Sequence, residues 1–582
     1  MNKKRFVLTR IADRRGFNIL LMMSLGVLLV SPVQGQFSQF SNYIAKNIRI
    51  GGHANVYGEL YDVQGTARRR PPSTQRISFS PSFAFSHLFS ISADLMLSSE
   101  QSYSRQSMNI MGLHPVWRWG RAHLGDYSDS FSSTTFHGVN VKGAEIDLFP
   151  GLFRFTAGGG QTKRAVDGNV IHQNYAQYLF ASRIGYGKTN ASFLDLIFVK
   201  VKDDVSSLKK SEVWDYPGVN PDTLETELDS LWVEPPYNPY AVTPQENLIL
   251  GFSSRIQLLQ GRVVLKMEGS GSAYTKNLET NEVKIDSVDM PDFMRSPLGK
   301  IFTPRRSSNM DFASHTQLEL NLKDFKSEIG YRNIGAGYIS LGMPSAVNDR
   351  EEILFNSSAR LGIHRIRLQW NRLTDNLMKQ KLVTNTRNQF GVGVNTGTRS
   401  WQSSLQLQYL LMGNDAPADS LEYDFNNLTV SVNQSLLFGK KTFLRRMGIQ
   451  YTLQASDKTT SISEDKARYH TVNLTSGFQA ARSLTANASA GLSFRKTGDE
   501  KMQTSQVYSI RLTHAAMANK LSSSLFSSSS MIRNTKVFRI GLSSSYRVTR
   551  NNQLVFDLSH NVFRGTRDFH ETRGSLMLSH RF

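Results

Sequence analysis

The residues able to do covalent or metal chemistry are few and poorly placed for it. The chain contains no Cys, which excludes disulfides, thiolate zinc sites and cysteine nucleophiles. Its 13 His are scattered, and none falls in a His-Glu-x-x-His pattern. Gly185-Tyr186-Gly187-Lys188-Thr189 ends like a phosphate-binding loop, but Ser182 stands where the first Gly belongs and the segment reads as a hairpin turn. Gly391 and Gly393 lie in an alternating strand and not at a strand-to-helix turn, so no dinucleotide site follows. No Gly-x-Ser-x-Gly elbow occurs. His560 with Asp557, and His123 with Asp126, are the acid–base pairs that could be assembled at a rim. Polar pairs on wet strand faces are common, so neither enzymatic activity nor a bound cofactor or metal is expected.

What the chain does offer is patterned charge. Arg365 and Arg367 alternate with Ile366, Leu368 and Trp370, which places both guanidiniums on the face opposite the apolar one. Residues 203–244 hold nine acids, among them Asp222, Glu225, Glu227 and Asp229, against Lys209 and Lys210. The same stretch holds six prolines, which oppose regular structure. Loops of this length are usually functional or disordered. Folded inward against Arg365 and Arg367, this one would gate a lumen; standing in solvent, it would be an ordinary acidic loop. Both readings stay open. No twelve-residue EF-hand pattern supports calcium binding. A second feature lies in residues 99–137, where Trp117-Arg118-Trp119-Gly120-Arg121 makes Arg118 and Arg121 candidates for a folded-in constriction or an extra hairpin. Clustered Trp and Tyr are more often interfacial belt residues, although rings beside Arg would also suit stacking on planar faces.

A net charge of +21 raises nucleic acid as a partner, and the distribution of the charge argues against it. Residues 1–15 carry six basic residues against Asp13 and are followed by a mostly apolar stretch, 19–30. That stretch is too short for a membrane helix, which needs about 20 residues. With small residues and Val33-Gln34-Gly35 behind it, the pattern is a secretory signal peptide over 1–35. Arg14-Arg15-Gly16-Phe17 also resembles a twin-arginine signal, but that route carries folded cargo, so the general secretory route is expected. Later basic runs, Arg68-Arg69-Arg70 and Arg305-Arg306, fall in expected external loops, and Lys440-Lys441 and Arg547 fall at turns. Such positions meet anionic lipid headgroups.

After residue 36 the sequence reads in twos. Phe89, Ile91, Ala93, Leu95 and Leu97 oppose Ser90, Ser92, Asp94 and Ser98; Ala486, Ala488, Ala490, Leu492 and Phe494 oppose Thr485, Asn487, Ser489, Gly491 and Ser493. Leu405, Leu407, Tyr409 and Leu411 do the same against Ser404, Gln406 and Gln408. Each segment has one oily and one wet face. The segments run about ten residues, the length a tilted strand needs to cross a bilayer, and no run of about 18 apolar residues marks a membrane helix. A soluble sandwich would use shorter strands and a domain boundary every hundred residues or so. Short turns, such as Pro150-Gly151 and Lys323-Asp324, alternate with longer connections, such as 203–244 and 276–311. The pattern predicts an all-β chain: one large antiparallel transmembrane β-barrel over 48–582, after a short periplasmic segment, 36–47. It predicts about 24 strands (22 to 26), with two more to be found near 118–127 if 99–137 is not a single loop.

The chain ends Leu576-Met577-Leu578-Ser579-His580-Arg581-Phe582. A terminal Phe with apolar residues at alternate positions, here Leu576, Leu578 and Phe582, resembles the C-terminal insertion signal of bacterial outer-membrane β-barrel proteins. His580 departs from the Tyr or apolar residue commoner at its position. The resemblance is to the superfamily and implies a porin-like outer-membrane location, contact with outer-membrane lipid and delivery by the barrel-insertion machinery. A plugged receptor keeps a globular domain before its first strand, and 36–47 is too short for one. The expected function is therefore a channel for polar or anionic solutes, gated by its long loops. The alternatives are the membrane component of an export or surface-assembly apparatus with a partner protein in the lumen or the periplasm, and a purely structural barrel.

Overall fold

The computed structural model describes residues 48–86, 88–100, 106, 108–166, 173–208, 242–283, 301–416, 421–439 and 442–582. The expected signal peptide, the segment 36–47, and Asp222, Glu225, Glu227 and Asp229 lie outside the described residues. Ile50–Phe582 is one compact unit. Its described residues form 26 strands, numbered here in chain order from β1 (Ile48–Gln64) to β26 (Phe569–Arg581), in a single sheet. The strands pair antiparallel with their sequence neighbours, and β1 also pairs with β26 from His53↔Arg581 to Gln64↔His570. That seam closes the sheet, so no strand presents an unpaired edge. No described helix is long and apolar enough to cross a membrane.

Period-two alternation decides which face is which. Tyr186, Leu196 and Phe312 are 66%, 59% and 61% exposed, whereas the charged and hydroxyl side chains between such residues meet one another on the opposite face. An apolar outer face and a polar inner one is the arrangement of a barrel whose outside meets lipid. Leu576 and Leu578 lie on the outer face, and the Phe582 ring sits 5.8 Å from that of Phe79. With strands about 4.8 Å apart and tilted about 40°, a circular section would be roughly 50 Å across.

The two strands foreseen as hidden in 99–137 are present, which sets the count at the top of the expected range. They are β4 (Ile110–Trp117) and β5 (Gly120–Tyr127), joined by the two-residue turn Arg118-Trp119. Their alternation is weak for a physical reason: each has eight residues, and Gly112, Pro115 and Gly125 interrupt it. Pro115 cannot donate to a ladder, and Gly125 has φ 92°. Short turns collect at one end of the barrel, including 149–152, 259–262, 322–324 and 362–363, while 128–140, 205–245, 276–307 and 335–349 all leave the other end. In outer-membrane barrels the short turns are periplasmic.

Candidate functional site: the inner wall and its inward loops

Two of the long connections turn into the lumen. Residues 128–140 join β5 to β6 (Val141–Leu148), and beyond β7 (Phe153–Lys163) they rest on the inner face of β8 (Ala176–Gly187), β9 (Phe193–Asp204), β10 (Glu246–Leu258) and β11 (Val263–Thr275). Phe131 and Phe136 meet edge to face at 5.3 Å and pack with Leu179, Ala181, Val199 and Ile249. The Arg183 guanidinium lies 4.9 Å from the Phe131 ring. Ser133 donates to Glu268 from its backbone N–H at 2.9 Å and from its hydroxyl at 2.5 Å. β12 (Ser308–Asn321) contributes His315, 3.4 Å from that hydroxyl.

Residues 335–349, between β13 (Phe325–Ile334) and β14 (Arg350–Leu361), lock onto the first loop. Tyr338 donates its hydroxyl proton to the Thr134 carbonyl and accepts from Ser270 at 2.8 Å. Ser340 donates to the Thr135 carbonyl at 2.7 Å, and the His137 N–H donates to the Gly342 carbonyl at 3.0 Å. Asn247, on β10 and fully buried, donates to Ser272 at 2.8 Å and to the Ile339 carbonyl at 3.1 Å, and accepts from the Leu341 N–H at 3.0 Å. Asp349 ends the loop against Lys381 at 2.5 Å and the Leu377 N–H at 2.8 Å. Burial alone would raise the Asp349 carboxyl, but these donors hold it below the usual carboxylate range. The result is a fixed second layer on one side of the wall.

Towards the short-turn end, the same side carries an ion network. Arg154 binds Asp195 with two parallel bonds, at 2.8 and 2.9 Å, and donates to Thr189 at 2.5 Å. Arg183 reaches Asp147 at 3.6 Å, and Arg121 reaches it at 3.0 Å. A Cβ on Gly185 would stand 2.0 Å from the Asp195 carboxylate. The glycine of the apparent phosphate loop thus makes room for a carboxylate in the β8–β9 hairpin.

Of the sequence-stated candidates, Arg121 is on the inner wall, in that network. Arg118 sits exposed in the β4–β5 turn, beside a Trp117–Trp119 pair with rings 5.5 Å apart, as interfacial aromatics would. The inward fold begins only at residue 128. Arg365 and Arg367 are on the inner wall of β15 (His364–Asp375), near the 362–363 turn. His123 bonds His114, Nδ1 to Nδ1, at 2.7 Å, while Asp126 accepts from the Met111 N–H at 2.7 Å. His560 bonds Thr572 at 2.9 Å; three residues apart on one strand, it and Asp557 face opposite ways. Among the described residues, no group of three or more His, Asp or Glu could hold a metal ion.

The sequence leaves 99–137 open between a folded-in constriction and an extra hairpin, on the strength of Arg118 and Arg121; the hairpin takes those residues and the inward packing falls to 128–140, while 335–349 reads only as an external connection. A signal was present: Phe131, Phe136, Ile339, Leu341 and Met343 are apolar residues in supposed external loops, and β9 reads Leu194, Leu196, Ile197, Phe198, Val199, Val201, apolar on both faces. A strand covered on both sides reads that way.

A closed antiparallel sheet of even strand number, oily outside and wet inside, is a transmembrane β-barrel of the bacterial outer-membrane type. No family model and no curated protein matches the chain. Among solved structures it is similar to the siderophore receptor PirA from Pseudomonas aeruginosa, at 10% identity over 92% of this chain and 80% of that one, with a TM-score of 0.41. It is also similar to OpdK of Pseudomonas aeruginosa, solved with vanillate, at 12% identity over 58% and 93% (TM-score 0.29). A third is the P pilus usher PapC translocation pore, at 9% identity over 92% and 99% (TM-score 0.27).

Proposed function

We propose that the protein is a porin-like channel for polar, anionic solutes, conducting along the half of the lumen that the described inward loops leave bare. The observation carrying this reading is a division of the inner wall. From β8 to β13 the wall is covered by the two-loop layer. From β14 through β22 (Gln503–Ala516) the inward side chains are mainly hydroxyls and amides, such as Ser489, Ser509, Asn395 and Gln406, with Arg365 and Arg367 among them. A polar wall with excess positive charge lowers the barrier for anions and raises it for cations.

The mature protein, reconstituted alone in planar bilayers, is expected to show steady unit conductance and an anion-selective reversal potential in a KCl gradient. Arg365→Glu with Arg367→Glu should lower the anion-to-cation permeability ratio roughly threefold or more. Unchanged selectivity would remove these arginines from the pathway.

The acidic segment 203–244 extends the proposal. Its described flanks, at the end of β9 and the start of β10, lie at the long-loop end, and as a gate the segment would narrow the lumen there. Deleting 209–240 should then raise the unit conductance; an unchanged value returns it to the status of a solvated loop. A second reading is favoured by the roughly 50 Å width, which would accommodate a partner protein for export or surface assembly. Silence in bilayers, together with a stable co-purifying protein, would select it.

A further inference from the structure

We propose that the inner wall between β14 and β19 (Leu444–Thr460), at the short-turn end, is a binding site for a soluble oligoanion: a hydroxylated, sugar-sized solute carrying two or more phosphate or carboxylate groups. This deepens the anionic-channel reading and rests on its wall polarity, though not on conduction. The site is a hollow of about 710 Å³, within the range of small-molecule sites. Arg360, Arg365, Arg367 and Arg446 line it, and none of its lining residues is Asp or Glu.

Elsewhere on the inner wall, arginines without a carboxylate have another partner: Arg495 stacks on Tyr469, Arg511 stacks on Phe526, and Arg539 donates to Asn561. Many others meet carboxylates: Arg154 meets Asp195, Arg121 and Arg183 meet Asp147, and Arg573 meets Glu59, while at the long-loop end of β14 itself Arg332 and Arg350 meet Glu352. Here, among the described residues, no carboxylate comes within 4.0 Å of any of the four guanidiniums, although Arg367 also borders a neighbouring hollow holding Glu319 and Glu328. Arg446 donates to Ser435 at 3.2 Å. The register makes the arrangement worse for the free protein, because Arg360 stands directly opposite Arg365. Like charges in that position repel, and an anion between them would reverse the sign of the interaction.

The rest of the lining defines the ligand. Asn395, Gln402, Gln406 and Asn433 present amides, and Ser404 and Ser435 present hydroxyls. These suit a ligand rich in hydroxyl groups. No aromatic carbocycle lines the hollow, and its sole apolar side chain, Ile363, belongs to the turn, so an aromatic acid or an acyl chain finds no partner. Arg365 and Arg367 project from one face about 6.6 Å apart along the strand, and each guanidinium can grip an oxyanion with two bonds. Two anionic groups on one solute match that spacing better than one. The position beside the 362–363 turn places recognition at the periplasmic mouth.

The test is calorimetric titration of the full mature protein in detergent with tripolyphosphate, with maltotriose and polyglutamate run in parallel. Tripolyphosphate should bind, more weakly as salt is added, and maltotriose should not. Arg365→Gln with Arg367→Gln should weaken tripolyphosphate binding by at least about tenfold, as loss of bidentate contacts predicts. Arg495→Gln, an inner-wall change on β21 (Leu484–Thr497) whose side chain stacks on Tyr469, should leave it unchanged. Heat-modifiable gel mobility checks that each variant is a closed barrel. Equal affinity in wild type and the double variant, no binding by folded wild type, or binding of polyglutamate alone would each overturn the site. Because no current is measured, binding without conductance keeps the site and removes the channel, and conductance without binding does the reverse.

Discussion

Asp195→Ala should destabilise the barrel by about 3–5 kcal/mol, as expected when one partner of a buried ion pair is removed. The carboxylate is 1% exposed and the Arg154 side chain 10%, so the abandoned guanidinium has little access to water. It would keep Thr189 as an acceptor and the Phe193 ring, 4.4 Å away, and neither neutralises it. Arg183, 3.9 Å from the same carboxylate, would lose a second contact. The measurement is the midpoint of heat-modifiable gel mobility or of urea unfolding in detergent. The combined change Arg154→Met with Asp195→Leu should recover most of the loss, because replacing both charges by apolar groups removes the desolvation cost along with the attraction. A single variant within about 1 kcal/mol of wild type would mean that water reaches the pair and the network is not structural.

The second large effect concerns the inner layer. Phe136→Ala should weaken the hold of residues 128–140 on the wall by about 3–5 kcal/mol, the usual loss for a buried Phe. Phe136 is 1% exposed and packs on Phe131, whose ring also carries the Arg183 guanidinium. The barrel itself should survive, since its closure depends on the strand ladders and the β1–β26 seam. What should change is the second layer: Thr134 and Thr135 would lose their protection, and with them the carbonyls that Tyr338 and Ser340 bond. Amide hydrogen exchange should therefore rise over both 128–140 and 335–349, and the unit conductance should become larger and noisier while gel mobility stays heat-modifiable. Exchange rising over 128–140 alone would show that the two loops are held independently.

Much of the fold is legible in the sequence. The outer face follows from alternation at Phe89–Leu97 and at 485–494, because side-chain direction along a strand is a local property, and the turn end and loop end follow from the alternation of short and long connections. The last strand is legible too, since Leu576 and Leu578 alternate up to Phe582, but its pairing with β1 is not. Strand number is legible as a range of 22 to 26 and not as a single value, because eight-residue strands broken by Pro115 and Gly125 carry too few alternations to count. The inward direction of Arg365 and Arg367 can be read from their own strand, whereas nothing local to Arg360 or Arg446 groups them with that pair. They join the same hollow only through pairing across β14 to β19.

The sequence by itself determined a closed, two-faced sheet, since a period of two with one oily side has no other way to bury its backbone hydrogen bonds in a bilayer. Tertiary structure alone decided which loops enter the lumen and which arginines keep a carboxylate. Ser133 finds Glu268 across 135 positions, and Tyr338 finds Thr134 across 204. No local pattern encodes such contacts, because they depend on the curvature and register of a sheet completed only when β26 meets β1.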